Sequence, residues 1–228
     1  MTRAMIMPLL FGLIGAAILI SLGVWQVSRL GEKNGQLALI EGTVHGEPLS
    51  LMQATKIQVV KYTPVAVRGR TTLQEVHVLV SRKKFGAGYR IISAFEVADG
   101  PRVLLDRGFV RSDAKTDPRP ETELDIIGNL HLPDDRNSST PENDESGNIW
   151  FSRDIEDMSR ALNTDPILIV ARSNTGQGID PMPLGVEGIP NDHLQYATTW
   201  FSLAVVWLGM TVFLLWRIKR QTDQGLGP

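Results

Sequence analysis

The chain has 228 residues, 23 Lys and Arg against 25 Asp and Glu, a formal net charge of -2, and no cysteine. Near balance of charge, with no arginine- or lysine-rich stripe, offers no field for nucleic acid. The missing thiol excludes thiolate catalysis, disulfide exchange, thiolate-held copper or iron–sulfur centres and covalent haem attachment through C-x-x-C-H.

No charged residue stands between Arg3 and Arg29, a run longer than the roughly 20 apolar residues that cross a bilayer. A first transmembrane helix is therefore expected over residues 4–28. No small-x-small cleavage site follows Val24 and Trp25, which favours an uncleaved anchor over a secretory signal. Gly12, Gly15, Ala16, Ala17 and Gly23, with the spacing Gly12-x-x-x-Ala16, offer a face for close approach of a second helix. The helical pattern runs on through Leu30, Leu37 and Ile40, so the helix is expected to project beyond the membrane until the Pro48 region breaks it.

Residues 30–192 suffice for one extramembrane domain with its own core. The runs YTPVAVRGR, EVHVLVSR, YRIISAFEV, RVLLDRGFVR and ELDIIGNLHL, between Tyr62 and His131, alternate and are rich in β-branched residues. They read as antiparallel strands, with turns at Gly86, Asp99-Gly100-Pro101 and residues 113–120. The stretch 133–148, PDDRNSSTPENDESGN, is nearly free of apolar side chains and reads as a mobile surface loop. Ser152 is placed to cap a short helix with Ile155, Met158 and Leu162 on one face, DPILIVAR reads as a further strand, and QGIDPMPLGVEGIP as an irregular linker.

Between Asp192 and Arg217 only His193 can carry charge near neutral pH, which predicts a second transmembrane helix over 193–216 and a tail over 217–228. Arg217, Lys219 and Arg220 follow this helix, whereas Glu187 and Asp192 precede it, so the positive-inside rule makes the tail cytoplasmic. Two spans bring the N-terminus to the same side and put residues 30–192 in the periplasm, or in the intermembrane space of a mitochondrion. Arg29 and Lys33 weigh against that orientation, and Arg3 with the free amine partly offsets them. The expected class is an α+β membrane protein: a two-helix transmembrane hairpin with an inserted, mainly antiparallel β domain, a meander able to curl into a small barrel.

Hydrolytic and nucleotide signatures are missing: no G-x-S-x-G, H-E-x-x-H or Walker loop occurs, and Gly86-Ala87-Gly88 lacks a third glycine opening a helix. His45, His77 and His131 have no metal-ligand spacing and read as ordinary surface or strand residues. Asp106 and Arg107 are adjacent on a strand and point to opposite faces, so they read as structural charges that do not pair with each other.

A different pattern marks the second span, where His193, Tyr196, Ala197, Trp200, Ala204, Trp207 and Thr211 recur on one helical face. Trp25, Gln26 and Arg29 stand at the matching end of the first span, so an antiparallel hairpin brings the two groups together. Two readings stay open. Asp192 with Gln195 forms a capping box and the aromatics an interfacial belt, or His193 is a ligand, since ionisable groups at bilayer depth are functional candidates.

LGVWQVSRLGEK (22–33) and NDHLQYATTWFSLA (191–204), with Gly69-Arg70, Gly88-Tyr89-Arg90 and VLLDRGFV between them, resemble the signatures of the Surfeit locus protein 1 family. The resemblance covers the whole chain. Asp106, Phe109 and Asp192 stand where Asn, Trp and Asn are frequent in that family. The resemblance implies an assembly factor, and not an enzyme, for a haem-copper terminal oxidase of the cytochrome c oxidase type. It implies transient, non-covalent binding of haem a at the outer ends of the two membrane helices, and aid to haem insertion into the catalytic subunit. The implied setting is the bacterial plasma (inner) membrane, or the mitochondrial inner membrane in a eukaryote. Implied partners are that catalytic subunit, the haem a synthase as a further candidate, and membrane lipid, with no nucleic acid. Carried over by position, His193 is the axial ligand of the haem iron, and Trp200, Tyr196, Trp25, Gln26 and Arg29 complete the haem site. A membrane-anchored scaffold that stabilises an oxidase assembly intermediate without binding haem stays open beside it.

Overall fold

The N-terminal run holds one proline, Pro8, near its start and no other before the turn at His45-Gly46, and it forms one continuous helix. The computed structural model describes residues 3–56, 61–82, 86–187 and 189–223. In chain order its elements are α1 (Arg3–Val44), β1 (Leu49–Ser50), α2 (Leu51–Lys56), β2 (Pro64–Arg82), β3 (Gly86–Val97), β4 (Arg102–Arg111), a 3-10 turn (Ser112–Ala114), β5 (Glu123–His131), α3 (Ile155–Leu162), β6 (Leu168–Ala171) and α4 (His193–Asp223). They fall into two units: one holds α1 through Leu39 together with the chain from Glu187, the other is Ile40–Val186.

In the first unit, α1 and α4 are each long and apolar enough to cross a membrane. At about 1.5 Å per residue the 42 residues of α1 extend roughly 60 Å, twice a hydrocarbon core, so residue 28 lies inside an unbroken helix. The two helices pack antiparallel: Gly12 faces Thr211, Gly15 and Gly23 face the rings of Trp207 and Phe201, and Gln26 faces His193. A Cβ at Gly12 or Gly15 would collide with the side chain opposite. Small residues thus set the helix separation, and Ala16, Ala197 and Ala204 are buried along the same seam.

In the second unit the strands pair in the order β1-β2-β3-β4-β6-β5, and β5 also pairs with β2. The 19 residues of β2 serve three partners, with β1 at Val65 and Ala66, Pro64–Arg70 lying against β5 and the stretch from Gly69 onward against β3. Four pairings are antiparallel (β2 with β3 and β5, β3 with β4, β5 with β6), whereas β1/β2 and β4/β6 are parallel, so the sheet is mixed. The first two expected strands, YTPVAVRGR and EVHVLVSR, are one continuous strand, β2, and the expected meander holds from there to β4. It then breaks, because β6 enters between β4 and β5 after a long crossover through α3. All four residues of β6 are buried, and such a strand needs a neighbour on each edge.

Alternation along the strands builds a core on each face of the sheet. Val65, Val67, Phe95, Leu105, Ile126, Leu130 and Ile169 form one cluster. Val76, Val78, Ile92, Leu104, Trp150 and Leu168 form the other, covered by Met158 and Leu162 of α3. The cap of α3 differs from the sequence reading: Asp154, not Ser152, accepts from the Asp157 amide, while Ser152 is itself buried. Asp154 borders the first turn directly, whereas Ser152 stands two residues too early. The polar stretch 133–148 is tied at its edges by Asp135–Arg153 (2.6 Å) and by paired backbone bonds between Asp144 and Ile149.

Asp106 and Arg107 are both 1% exposed and do not pair with each other. Asp106 meets Arg90 and Arg153, whereas Arg107 donates to Thr175 and Gln177. The register shifts at this point, with Ile92 opposite Asp106 and Ile91 opposite Gly108, so Arg107 is the extra residue of a bulge. Gly108 adopts φ +123, and the linker residue Asp180 exchanges two backbone bonds with Phe109 at 2.7 and 2.8 Å. A Cβ at Gly108 would meet the Asp180 carbonyl, which makes glycine the residue the linker requires there.

Candidate functional site at the α1–α4 pair

His193 is the first residue of α4, and Asp192 meets the helix through its backbone carbonyl, which accepts from the Tyr196 amide at 3.1 Å. The His193 ring turns toward α1, where its Nδ1 lies 2.8 Å from Oε1 of Gln26. Gln26 is 9% exposed, a polar amide on the α1 face that also carries Gly12, Gly15, Ala16 and Gly23. About two turns beyond Gln26 on α1, Asn34 accepts from Asn191, just ahead of α4, at 2.8 Å, a second side-chain bond between the two segments.

The other expected site residues divide. Trp25 and Tyr196 are 51% and 55% exposed, and Trp200 is half-buried. Arg29 bonds to Glu32 at 2.8 Å and stacks over Trp25, its guanidinium carbon 5.7 Å from the ring centroid. Neither Trp25 nor Arg29 bonds to His193 through its side chain; of the expected site residues on α1, Gln26 is the one that does. The deep end of the α4 stripe has a different task. Trp207 fills the space over Gly15, donates to the Gly12 carbonyl at 3.0 Å and packs on Phe11, their centroids 5.3 Å apart.

Ile18, Trp25 and Arg29 are seven and four residues apart and share a flank of α1, while Trp207, Trp200 and Tyr196 share a flank of α4. Gly15, Ile18, Leu19, Leu203, Val206, Trp207 and Met210 line an apolar groove of about 440 Å³. Its walls continue into the aromatic cluster, for Trp25 stands two turns beyond Ile18, and Tyr196 and Trp200 two turns before Leu203 and Trp207. One flank of the pair therefore carries an apolar groove at depth and aromatic side chains with an arginine above it.

A family model described as the SURF1 family matches residues 13–205, which include Trp25, Gln26, Arg29, His193, Tyr196 and Trp200. The chain belongs to the SURF1 family. Surfeit locus protein 1 of Homo sapiens is 32% identical over 210 residues, covering 80% of this chain and 69% of its own length. That of Xenopus tropicalis is 31% identical over 211 residues, covering 80% and 67%. The SURF1-like protein of Rickettsia felis is 30% identical over 206 residues and covers 85% of this chain and 90% of its own.

Away from this SURF1 site, folding assembles a cluster that the sequence reading passed over. Glu75 accepts from His77 at 2.7 Å and from Arg119 at 2.9 Å, and Arg119 also donates to the carbonyls of Ala114 and Lys115. Burial alone would raise the Glu75 carboxyl, but the bonds from His77 and Arg119 outweigh it and hold the group below its ordinary value. Burial also pushes Arg107 down to about 10, against the favourable charge of Glu75. The Glu75-x-His77 spacing on a strand was the available signal, since residues two apart share a face. Arg119 gave none, being 42 residues from His77 in the chain.

Proposed function

We propose that this SURF1-family chain is an assembly factor for a haem-copper terminal oxidase of the cytochrome c oxidase type. It holds haem a at the outer end of the α1–α4 pair and passes it to the catalytic subunit. The observation that carries the reading is the His193 ring, braced at Nδ1 by Gln26 beside exposed aromatic side chains and above an apolar groove.

The residues present fit the group. His193 offers Nε2 as one nitrogen donor, and a haem iron would supply the coordination position that such a nitrogen fills. Trp25, Tyr196 and Trp200 present flat apolar surfaces that exclude water, and half-exposed Arg29 presents N–H donors suited to a propionate. The groove gives an apolar side branch a wall to lie against. Holding by one non-covalent bond leaves release fast enough for a carrier. The proposed role is one of binding and delivery, not catalysis.

The same reading has α1 and α4 crossing the bacterial inner membrane, or the mitochondrial one in a eukaryote. Both termini are then cytoplasmic and residues 30–192 periplasmic. In that domain the return of β5 onto β2 supports a small barrel. The partners are the oxidase catalytic subunit, the haem a synthase and surrounding lipid, and not nucleic acid.

The test is the absorption spectrum of the full chain purified from cells that make haem a. The wild type and His45→Ala should carry the chromophore, and His193→Ala should lose it while still inserting and accumulating. The scaffold alternative draws on the seam, where signature residues pack helix on helix, and it predicts no chromophore in any of the three. In cells lacking the chain, residual oxidase short of haem a supports delivery, whereas full haem a with a missing subunit supports the scaffold.

A further inference from the structure

We propose that Gln26 is a positioning residue: its amide oxygen selects the tautomer of His193 that frees Nε2 to ligate, and tunes how strongly that nitrogen donates. The tautomer follows from geometry, and the tuning rests on the haem-binding reading above. A neutral imidazole carries one N–H, and which nitrogen holds it is set by the bond the other makes. Oε1 of Gln26 only accepts, so the 2.8 Å bond puts the hydrogen on Nδ1 and the lone pair on Nε2. Nε2 lies across the ring from Gln26, so the ligating edge faces away from the α1 residue that braces it.

The placement of Gln26 supports the assignment. Gly12, Gly15, Ala16 and Gly23 line the rest of the α1 seam, and an amide buried among them costs about 1–3 kcal/mol unless bonded. An alanine or leucine would avoid that cost, and the side-chain bond that Gln26 makes is the one to His193. Histidines that bind metals commonly donate their second N–H to a carbonyl or carboxylate, which fixes the ring and strengthens the donor nitrogen. Gln26 supplies such a carbonyl from a neighbouring helix, so assembly of the helix pair and preparation of the ligand are one event. The residue touches the histidine and not the haem.

Three full-length proteins, wild type, Gln26→Leu and Gln26→Glu, test the inference after purification in detergent from cells that make haem a. Gln26→Leu keeps the bulk without the acceptor and should weaken haem a binding 10- to 100-fold while raising the reduction potential of what remains. Gln26→Glu should retain haem a with a potential below the wild type, because a carboxylate accepts more strongly and the ring then favours oxidised iron. A residue that only staples two helices would not order the potentials as Glu below Gln below Leu, and three equal potentials overturn the tuning. On haem-free protein, 15N resonances of the His193 ring should show hydrogen on Nδ1 in the wild type and loss of that single tautomer in Gln26→Leu. Hydrogen on Nε2 in the wild type overturns the tautomer assignment. Failure of the wild type to bind haem a, or retention of haem a by His193→Ala, removes the haem reading and with it the tuning, while the 15N result still decides the tautomer.

Discussion

Trp207 donates its indole N–H to the backbone carbonyl of Gly12 across 3.0 Å, joining α4 to α1 about 20 Å along the helix from His193. The indole reaches that carbonyl because residues 12 and 15 carry no side chain to stand in its way. Trp207 is therefore a packing group with a satisfied polar edge, whereas Trp25 and Tyr196, toward the His193 end, are exposed.

Gly15→Leu should separate the helices, since the new side chain must occupy the volume of the Trp207 ring. Trp207→Phe should be mild, losing one hydrogen bond at about 1 kcal/mol. The cysteine-free chain permits a direct readout through the double substitution Asn34→Cys and Asn191→Cys, whose native side chains are bonded at 2.8 Å. Oxidation should crosslink this pair efficiently in the parent and with Trp207→Phe, and poorly with Gly15→Leu. Equal yields in all three would show that the small residues do not set the seam.

In the sheet, Asp106 is the counter-charge for two arginines, contacting Arg90 and standing 3.8 Å from Arg153. Removing Asp106 leaves Arg90 uncompensated while Arg153 keeps Asp135, and breaking a buried ion group in this way costs about 3–5 kcal/mol. Asp106→Ala should lower stability by that order, and Asp106→Asn by less, because the amide keeps an oxygen acceptor. Trp150, buried in the core under α3 and the one tryptophan of residues 40–186, reports unfolding of this unit as a fluorescence change over the background of the four tryptophans of α1 and α4. A midpoint for Asp106→Ala within error of the wild type would remove the assigned role.

Legibility in the sequence tracked locality. His193 stood out because one ionisable residue opens an apolar run, and the small-residue stripe of α1 announced a close helix neighbour. Strands β2 to β4 and helix α3 follow from alternation and 3.6-residue spacing within short windows. The insertion of β6 between β4 and β5 did not, because a buried apolar strand states that it needs two neighbours without saying which. Gln26 was visible as a site position, but its role depends on a partner 167 residues away. The same holds for Glu75, whose face is set by the register shift between Thr71 and Glu75 and whose cation comes from Arg119. His77 and His131, expected to be ordinary strand residues, do lie on strands but are buried, so His45 is the histidine suited to serve as a neutral control.

The proposed orientation puts residue 140 on the periplasmic face. Thr140→Cys adds a single thiol to a cysteine-free chain, in an exposed stretch whose neighbours bond only locally, as Asn137 and Thr140 do. A membrane-impermeant maleimide should label it in intact spheroplasts, and a thiol introduced at Gln221 should react only after the membrane is opened. The reverse pattern would invert the hairpin, placing the His193 end of α4 at the cytoplasmic surface.

His131 makes the stability of the strand unit depend on pH in a definite window. It is 8% exposed, and burial pushes its pKa from 6.5 down to about 4; the charges of Arg153, Lys61 and Arg90 act in the same direction and Asp135 opposes them. Between those two values the unfolded chain binds a proton at this position that the folded chain does not. Stability from this group is therefore complete above about pH 6.5 and is lost as pH falls toward 4, by at most about 3 kcal/mol. Glu75 and Asp135, whose carboxyls the folded state holds below their ordinary values, add loss of the same sign only at pH below 4.5 and 3.8. Denaturant unfolding of the full chain, followed at Trp150 from pH 7 to pH 4.5, should show the wild type losing about 2 kcal/mol more than His131→Asn. The variant's offset at pH 7 reports lost packing, and only the difference in slope reports the proton. Parallel curves across the window would mean that His131 takes up its proton in the folded protein as readily as in the unfolded one.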